Sequence, residues 1–549
     1  MQTTDTEQHR TGISTAQKQL AGATGFLALS VLLSRVLGYV RDAIISSKFG
    51  MTGQSDAYIQ SFFVPDMLYQ LLAGGALSSA FIPVFASYLA RGEDEEAWKV
   101  FSVVATIMLP VITAFVIAAE VFAEPLSYIA APGFSEHQLQ LVARLTRIVL
   151  PAQICFFLGG LLIGTQNARN HFFGQAVGPL IYNIGIIVGG LLLANSVGIA
   201  GFSWGALVGA VVGNLLLQIV LVRRLGVRYR PSLDVRHPGV VKVGTLLLPV
   251  VLGLSLPQLS VRINRVFVSM LGEGRVLALN NADRLTQAPL GVFAQSAGIA
   301  LLPTLAAQAA VMDMKAFRAS VSLGIRSIVA LTLPTSVFMA VLAVPIIRVM
   351  YQHGRFTAGD TQVTAVALGF YAVGIAGWSA QAIIARAFYA LHDTITPVVV
   401  GTIMTVLLLI SNWVLASVLP AGGWSHGWVA FTTSAAALLQ AAVLLGILRR
   451  RIGGVDGRTM AASFSKVSVG CLVLAAVSVV VYRAATTAWP APSADSTIST
   501  LVRILLAMCT GFSAYAAAVR ALRLDEGPYV WSMFAGRTER LWRRRKPGS

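Results

Sequence analysis

The feature that most limits what this chain can fold into is its succession of apolar runs. About fourteen segments of roughly 20 residues or more follow one another, near 22–47, 57–89, 98–121, 143–165, 175–196, 200–222, 243–271, 284–309, 321–349, 362–390, 396–419, 425–448, 465–484 and 499–522. A helix crosses the hydrocarbon layer in about 20 residues. Lipid offers the backbone no hydrogen-bond partner, so runs of this length span as helices. The expected fold class is therefore an all-α polytopic membrane protein with about 14 transmembrane helices. Composition agrees, with 56% hydrophobic and 12% charged residues, against about 25% charged in soluble domains. An ordinary soluble enzyme, a disordered chain and a secreted disulfide scaffold are excluded. The three cysteines, Cys155, Cys471 and Cys509, lie scattered inside apolar runs and read as small buried hydrophobes.

The charges sort by side. Lys and Arg exceed Asp and Glu by 41 to 23, a formal net charge of +18. Segment 223–242 holds six Lys/Arg and one Asp, segment 449–458 holds Arg449, Arg450, Arg451 and Arg458, and 537–546 adds Arg537, Arg540, Arg543, Arg544, Arg545 and Lys546. Stretches 121–140, 193–204, 418–429 and 485–500 have no Lys or Arg. With fourteen spans the basic segments share one side, which the positive-inside rule makes cytoplasmic, together with both termini. Lys48, Arg275 and Arg355 are the outer-side exceptions. The basic excess thus reads as a topology signal, and nucleic acid is not an expected partner. Residues 1–19 are polar and expected to be a flexible cytoplasmic N-terminus. The first apolar run carries Arg35 and Arg41 and reads as a retained span.

The two halves of the chain repeat. Asp56–Pro83 parallels Asn280–Pro303, Pro110 pairs with Pro334, Pro125 with Pro345, and APGFS at 131–135 with HGRFT at 353–357. The separation stays between 220 and 224 residues. Six spans per half follow, and an even number gives parallel repeats, a common transporter plan. The expected organisation is a first lobe at 20–222, a basic linker at 223–242, a second lobe at 243–448, a basic loop at 449–464, two further helices at 465–522 and a basic cytoplasmic tail at 523–549. The two six-helix pseudo-symmetric lobes would surround a central cavity.

Charges inside spans cost about 2.5–3.5 kcal/mol each on insertion scales, and they normally face water or a partner. Span one carries Arg35, Arg41 and Asp42; span seven carries Arg262 and Arg265 at i, i+3, on one helical face. Arg284 beside Asp283 opens span eight, and Arg386 lies late in span ten. Arginine presents planar, permanently charged donors suited to phosphate oxygens. The cluster points to a phosphate or pyrophosphate ligand at the lobe interface. The plainer alternatives are internal ion pairs (Arg41–Asp42, Arg284–Asp283) and snorkelling to the membrane surface. Pro65, Gly74, Gly75, Pro257 and Pro289 interrupt long runs and are hinge candidates, although Pro and Gly are common in membrane helices. The seven histidines are dispersed, and no Walker loop, metalloprotease motif or hydrolase elbow occurs. No catalytic residue, metal or cofactor is expected.

The motifs SRVLGYVRDAIISSKFG (34–50), DAYIQSFFVPDMLYQLLAGGALSSAFIPVFASY (56–88), APGF (131–134), ADRLTQAPLGVF (282–293), YQHGRFT (351–357) and FYALHDTITPV (388–398) resemble the MurJ (MviN) family. These are the lipid II flippases of bacterial peptidoglycan synthesis, within the MOP exporter superfamily. The resemblance implies a fourteen-helix protein of the bacterial cytoplasmic membrane, with a cationic central cavity and a lipid-tail groove formed by the last two helices. It implies lipid II as substrate, membrane lipids as surroundings and the peptidoglycan-synthesis machinery as neighbours. Family cavity arginines match Arg35, Arg41 and Arg284, and family acids match Asp42 and Asp56. Where many members have Arg in the second span this chain has Tyr69-Gln70, and where they have Glu it has Gly74. Spans seven and eleven carry no acid, so sodium coupling by that route is not expected, and membrane potential is the expected driving force. The competing readings are a flippase for another polyprenyl-pyrophosphate sugar, a MATE-like ion-coupled drug exporter, and a membrane scaffold without transport.

Overall fold

The computed structural model describes residues 3–70, 76–418, 424–488, 497–524 and 526. Side chains are described for these except at 3–24, 76–79, 248–261, 299–300 and 416. Eleven helical stretches among them are long and apolar enough to cross a membrane. The other three expected spans fall on helical regions at 3–49, at 53–68 with 76–90, and at 238–269, whose described apolar parts are shorter or lie beside undescribed side chains. The chain divides into two compact units, Met1–Ser269 and Met270–Ser549.

The first unit comprises α1 (Thr3–Phe49), α2 (Gly53–Ser61), α3 (Phe63–Leu68), α4 (Ala76–Ala90), α5 (Asp94–Val121), α6 (Ala123–Ala130), α7 (Glu136–Val149), α8 (Ala152–Ala168), α9 (Phe173–Val197), α10 (Ala200–Gly209), α11 (Leu217–Arg224) and α12 (Pro238–Ser269). A π-helical segment, Ala210–Leu216, joins α10 to α11. The core gathers Phe81, Phe85, Trp98, Phe101 and Phe157 from α4, α5 and α8. Glycines bring α9 and α10 backbone to backbone. A Cβ on Gly205 would stand 2.4 Å from the Gly185 carbonyl oxygen, and one on Gly159 would stand 1.9 Å from that of Asn214. Small residues permit such close approach between membrane helices, where apolar burial gives no net drive.

The second unit comprises α13 (Arg275–Pro289), α14 (Gln295–Ala310), α15 (Met314–Val341), α16 (Ala343–Tyr351), α17 (Ala358–Ala390), α18 (Ile395–Val418), α19 (Ser425–Ile452), α20 (Gly457–Ala488) and α21 (Thr497–Ala521). A π-helical segment, Leu290–Ala294, follows Pro289. α17 is the buried centre, packed on α15 and α19, with Phe317, Ile325, Ile383, Phe388 and Leu444 in the core. α20 and α21 pair with each other and attach to α15, where the Tyr515 hydroxyl donates to the Ala330 carbonyl at 2.7 Å.

The sequence repeat is realised helix by helix. Pro83 and Pro303 lie inside α4 and α14, and Pro110 and Pro334 inside α5 and α15. Ser135 builds a capping box on α7, and its counterpart Thr357 builds one on α17. Each side chain satisfies an otherwise orphan helix N–H. The copies then diverge for a local reason. Pro151 separates α7 from α8, whereas Val373 stands at the matching place and α17 runs on unbroken.

Three features of the described structure bear on the expected organisation. Helix α1 begins at Thr3, within the polar segment 1–19. The compact units divide at Ser269, so α12, read as the opening span of the second lobe at 243–448, packs on α4 in the first unit. The linker 223–242 is not merely a row of positive charge. Arg228 pairs with Glu95 at 3.0 Å, Asp234 with Lys99 at 3.0 Å, and His237 with Glu96 at 2.7 Å. Arg169 at the end of α8 takes Asp94 at 2.6 Å. The acidic first turn of α5 therefore anchors the linker, and the Lys99 ammonium holds the Asp234 carboxyl below its usual range.

Candidate functional site

Span one supplies the first cation. Arg41 of α1 donates through Nε to Asp42 Oδ1 at 2.9 Å and through Nη1 to Asn183 Oδ1 of α9 at 3.1 Å. The Arg41 and Asp42 side chains are 12% and 3% exposed. Asn183 in turn donates through Nδ2 to Ser34 Oγ at 3.3 Å and to the Pro179 carbonyl at 3.0 Å. One amide thus ties the arginine to two helices. Arg35 stands half-buried on α1, and Asp56 is fully buried at the start of α2.

α12 supplies the second cation. Arg262 Nη1 meets Asp66 Oδ2 of α3 at 2.6 Å, with the side chains 13% and 37% exposed. Sequence reasoning named Arg262 without this partner. The available signal was a lone acid in the second apolar run, the same signal that singled out the arginines. Arg265, one turn along, is half-buried. Asp66 and Tyr69 are i, i+3 and share a helical face. A carboxylate in an apolar span faces water or a partner; Asp66 has Arg262 as its partner and stays 37% exposed on the face it shares with Tyr69. From Tyr69 the rings run edge to face. Tyr69 meets Phe156 of α8 at 5.5 Å between centroids, and Phe156 meets Tyr182 of α9 at 5.2 Å. Tyr182 is the neighbour of Asn183 in sequence.

The second unit holds the remaining candidates. Arg284 and Asp283 are half-buried on α13, where Gln287 Nε2 donates to Asp283 Oδ1 at 3.4 Å. Arg386 of α17 lays its guanidinium against Gly298 of α14, where a Cβ would come within 2.4 Å of it, and donates to the Ala382 carbonyl at 2.9 Å. Among the hinge candidates, Pro65 is buried in the first turn of α3, and Pro289 ends α13 directly before the π-helical segment. α12 passes through Pro257 as continuous helix. Gly74 and Gly75 lie outside the described residues. Among the described residues no cluster of three His, Cys, Asp or Glu could hold a metal.

The model of the lipid II flippase MurJ family matches residues 45–494. The chain belongs to the MurJ family. A probable lipid II flippase MurJ of Buchnera aphidicola subsp. Acyrthosiphon pisum is 30% identical over 386 residues, 70% of this chain and 75% of the relative. The lipid II flippase MurJ of Burkholderia cenocepacia is 28% identical, covering 76% and 82%. A MurJ solved in an inward closed conformation superposes with TM-score 0.74 at 24% identity over 90% of this chain and 99% of its own. An inward-facing multidrug resistance MATE transporter of the MOP superfamily superposes with TM-score 0.63 at 15% identity, over 78% and 99%. These likenesses show that the chain shares its fold with both.

Proposed function

We propose that the protein moves lipid II, an undecaprenyl-pyrophosphate disaccharide-pentapeptide, from the inner to the outer leaflet of the bacterial cytoplasmic membrane by alternating access. One observation carries this beyond family membership: arginines inside apolar spans, Arg41 and Arg262, are held in place by carboxylates on the same unit. An Arg–Asp pair is a preformed anion site with a stand-in occupant. The pyrophosphate replaces the carboxylate as acceptor of the planar N–H fork, so the guanidinium never stands without a counter-charge in a medium where that would cost several kcal/mol. Within the first unit, Arg35 and Arg265 add positive charge around the headgroup, and Asp42 and Asp56 balance it when the site is empty; in the second unit, Arg284 beside Asp283 is a further candidate cation. The polyprenyl tail stays in lipid.

The reading supplies its own energy source. Outward movement of negative charge is favoured by about 2.3 kcal/mol per charge per 100 mV, inside negative. On this reading transport draws on the membrane potential, without nucleotide or cofactor, and the side that carries the basic segments supports cytoplasmic termini. The MATE likeness concerns fold alone and gives no support to drug export.

The test is rescue of a bacterial strain depleted of its own flippase, read as lipid II accessible at the outer face. Arg41→Ala and Arg284→Ala should abolish rescue while the protein remains in the membrane. Full rescue by Arg35→Ala, Arg41→Ala and Arg284→Ala alike would sink the anion-site reading.

A further inference from the structure

We infer that Tyr69, Phe156 and Tyr182 form a stacking wall for the sugar of a glycosylated pyrophosphate, and that Tyr69 is its contact face. The inference rests on the lipid II reading and names what in this chain would select the glycosyl part.

The wall has a fixed place between two charged poles. At one end Asp66 and Arg262 are paired at 2.6 Å, one helical turn from Tyr69. At the other, Tyr182 adjoins Asn183, which accepts from Arg41 at 3.1 Å. Three rings from three different elements, α3 with its C-terminal residue, α8 and α9, bridge the interval at 5.5 and 5.2 Å. Phe156 and Tyr182 are backed by the apolar cluster of Ala152, Cys155 and Ala210. Edge-to-face contact fixes the ring planes at 70° and 74° to each other, and aromatic side chains have few rotamers to lose when a ligand binds.

Tyr69 is 37% exposed, and its i, i+3 relation to Asp66 puts it on one helical face with a partly exposed ion pair. A ring serving only to fill the interior would be covered. A ring serving only as a lipid-facing belt would not share its helical face with an ion pair. What fits an apolar plate rimmed by guanidinium, carboxylate and amide is a molecule with one apolar face, a hydroxylated rim and an attached anion. A pyranose linked to pyrophosphate has that form: its axial C–H face lies on the ring, its hydroxyls reach the polar rim, and its phosphates reach the arginines. Binding sites commonly combine such an apolar wall with a few polar groups that fix orientation.

The experiment compares two lipids that share tail and anion and differ in sugar: undecaprenyl pyrophosphate and lipid II, each titrated onto purified protein in nanodiscs. Wild type should bind both. Tyr69→Ala and Tyr69→Leu should weaken lipid II about three- to tenfold and leave undecaprenyl pyrophosphate within about twofold. Tyr69→Phe, which keeps the plate, should bind both as wild type does. Arg41→Ala should weaken both lipids together. Equal loss of both lipids in Tyr69→Leu, or loss of neither, overturns the stacking wall while the flippase reading stands. Failure of wild type to bind either lipid overturns the flippase reading itself and the wall with it.

Discussion

At the scale of single residues, the proposed site is a set of arginines with partners both adjacent in sequence, Asp42, and distant from it, Asp66 and Asn183. Arg35, Arg41 and Arg262 stand out in the sequence as candidates because a charge in an apolar run is costly wherever it faces lipid. Asp42 was legible because it adjoins Arg41. Asp66 and Asn183 were not, since a contact from α3 to α12, or from α9 to α1, leaves no trace in local periodicity. The Asp66–Arg262 pair makes a specific prediction. Arg262→Ala leaves a carboxylate without its cation, so membrane levels should fall and flipping should drop more than about tenfold. Adding Asp66→Ala should restore protein level by removing the orphan charge. Flipping should stay low if Arg262 meets the headgroup. A double variant that flips at the wild-type rate would show the pair to be structural only.

At the scale of elements, the repeat was the most readable feature, because prolines and caps are local and their spacing survives divergence. Where the copies differ, the cause is again local: Pro151 splits one helix and Val373 leaves its counterpart whole. The α9–α10 interface tests the glycine argument. Gly205→Ala should lower the melting temperature, the overpacking costing about 1–3 kcal/mol, since its Cβ would press on the Gly185 carbonyl. Gly160→Ala meets nothing within 4 Å and should raise it slightly, by about 0.5–1 kcal/mol of helix preference. The corner before α18 adds a pH-dependent element. Asp393 accepts from the Thr396 N–H at 2.9 Å and hydroxyl at 2.7 Å and pairs with Arg451. The Thr396 hydrogen bonds, helped by the Arg451 charge, hold its carboxyl below the usual range. That stabilisation is complete above the ordinary aspartate value of about 4 and is lost as pH falls through the lower native one. The gap in melting temperature between wild type and Asp393→Asn should therefore be open at neutral pH and close in acid. A gap that does not change with pH would remove Asp393 from this role.

At the scale of the whole molecule, each unit closes on itself with ionic clasps that composition concealed. The stretch 523–549 reads in sequence as a basic tail, yet it contributes a buried acid. Glu526, 1% exposed, pairs with Arg326 of α15, which is 12% exposed. Glu526→Ala should destabilise the second unit by about 3–5 kcal/mol, the cost of stranding a buried cation, read as a drop in detergent melting temperature. Arg326→Leu combined with Glu526→Ala should recover most of it. The boundary at Ser269 was hidden from the sequence for a related reason: the repeat assigns α12 by ancestry, whereas packing on α4 assigns it by contact. The acid–arginine pairs of the first unit also bear on the return stroke of a carrier. Arg41–Asp42 and Arg262–Asp66 are dipoles with no net charge when unoccupied. On the proposed voltage-driven transport, the electric field that pulls a pyrophosphate outward would have no grip on these pairs once the cargo has gone, and they would let the empty protein reset without working against that voltage.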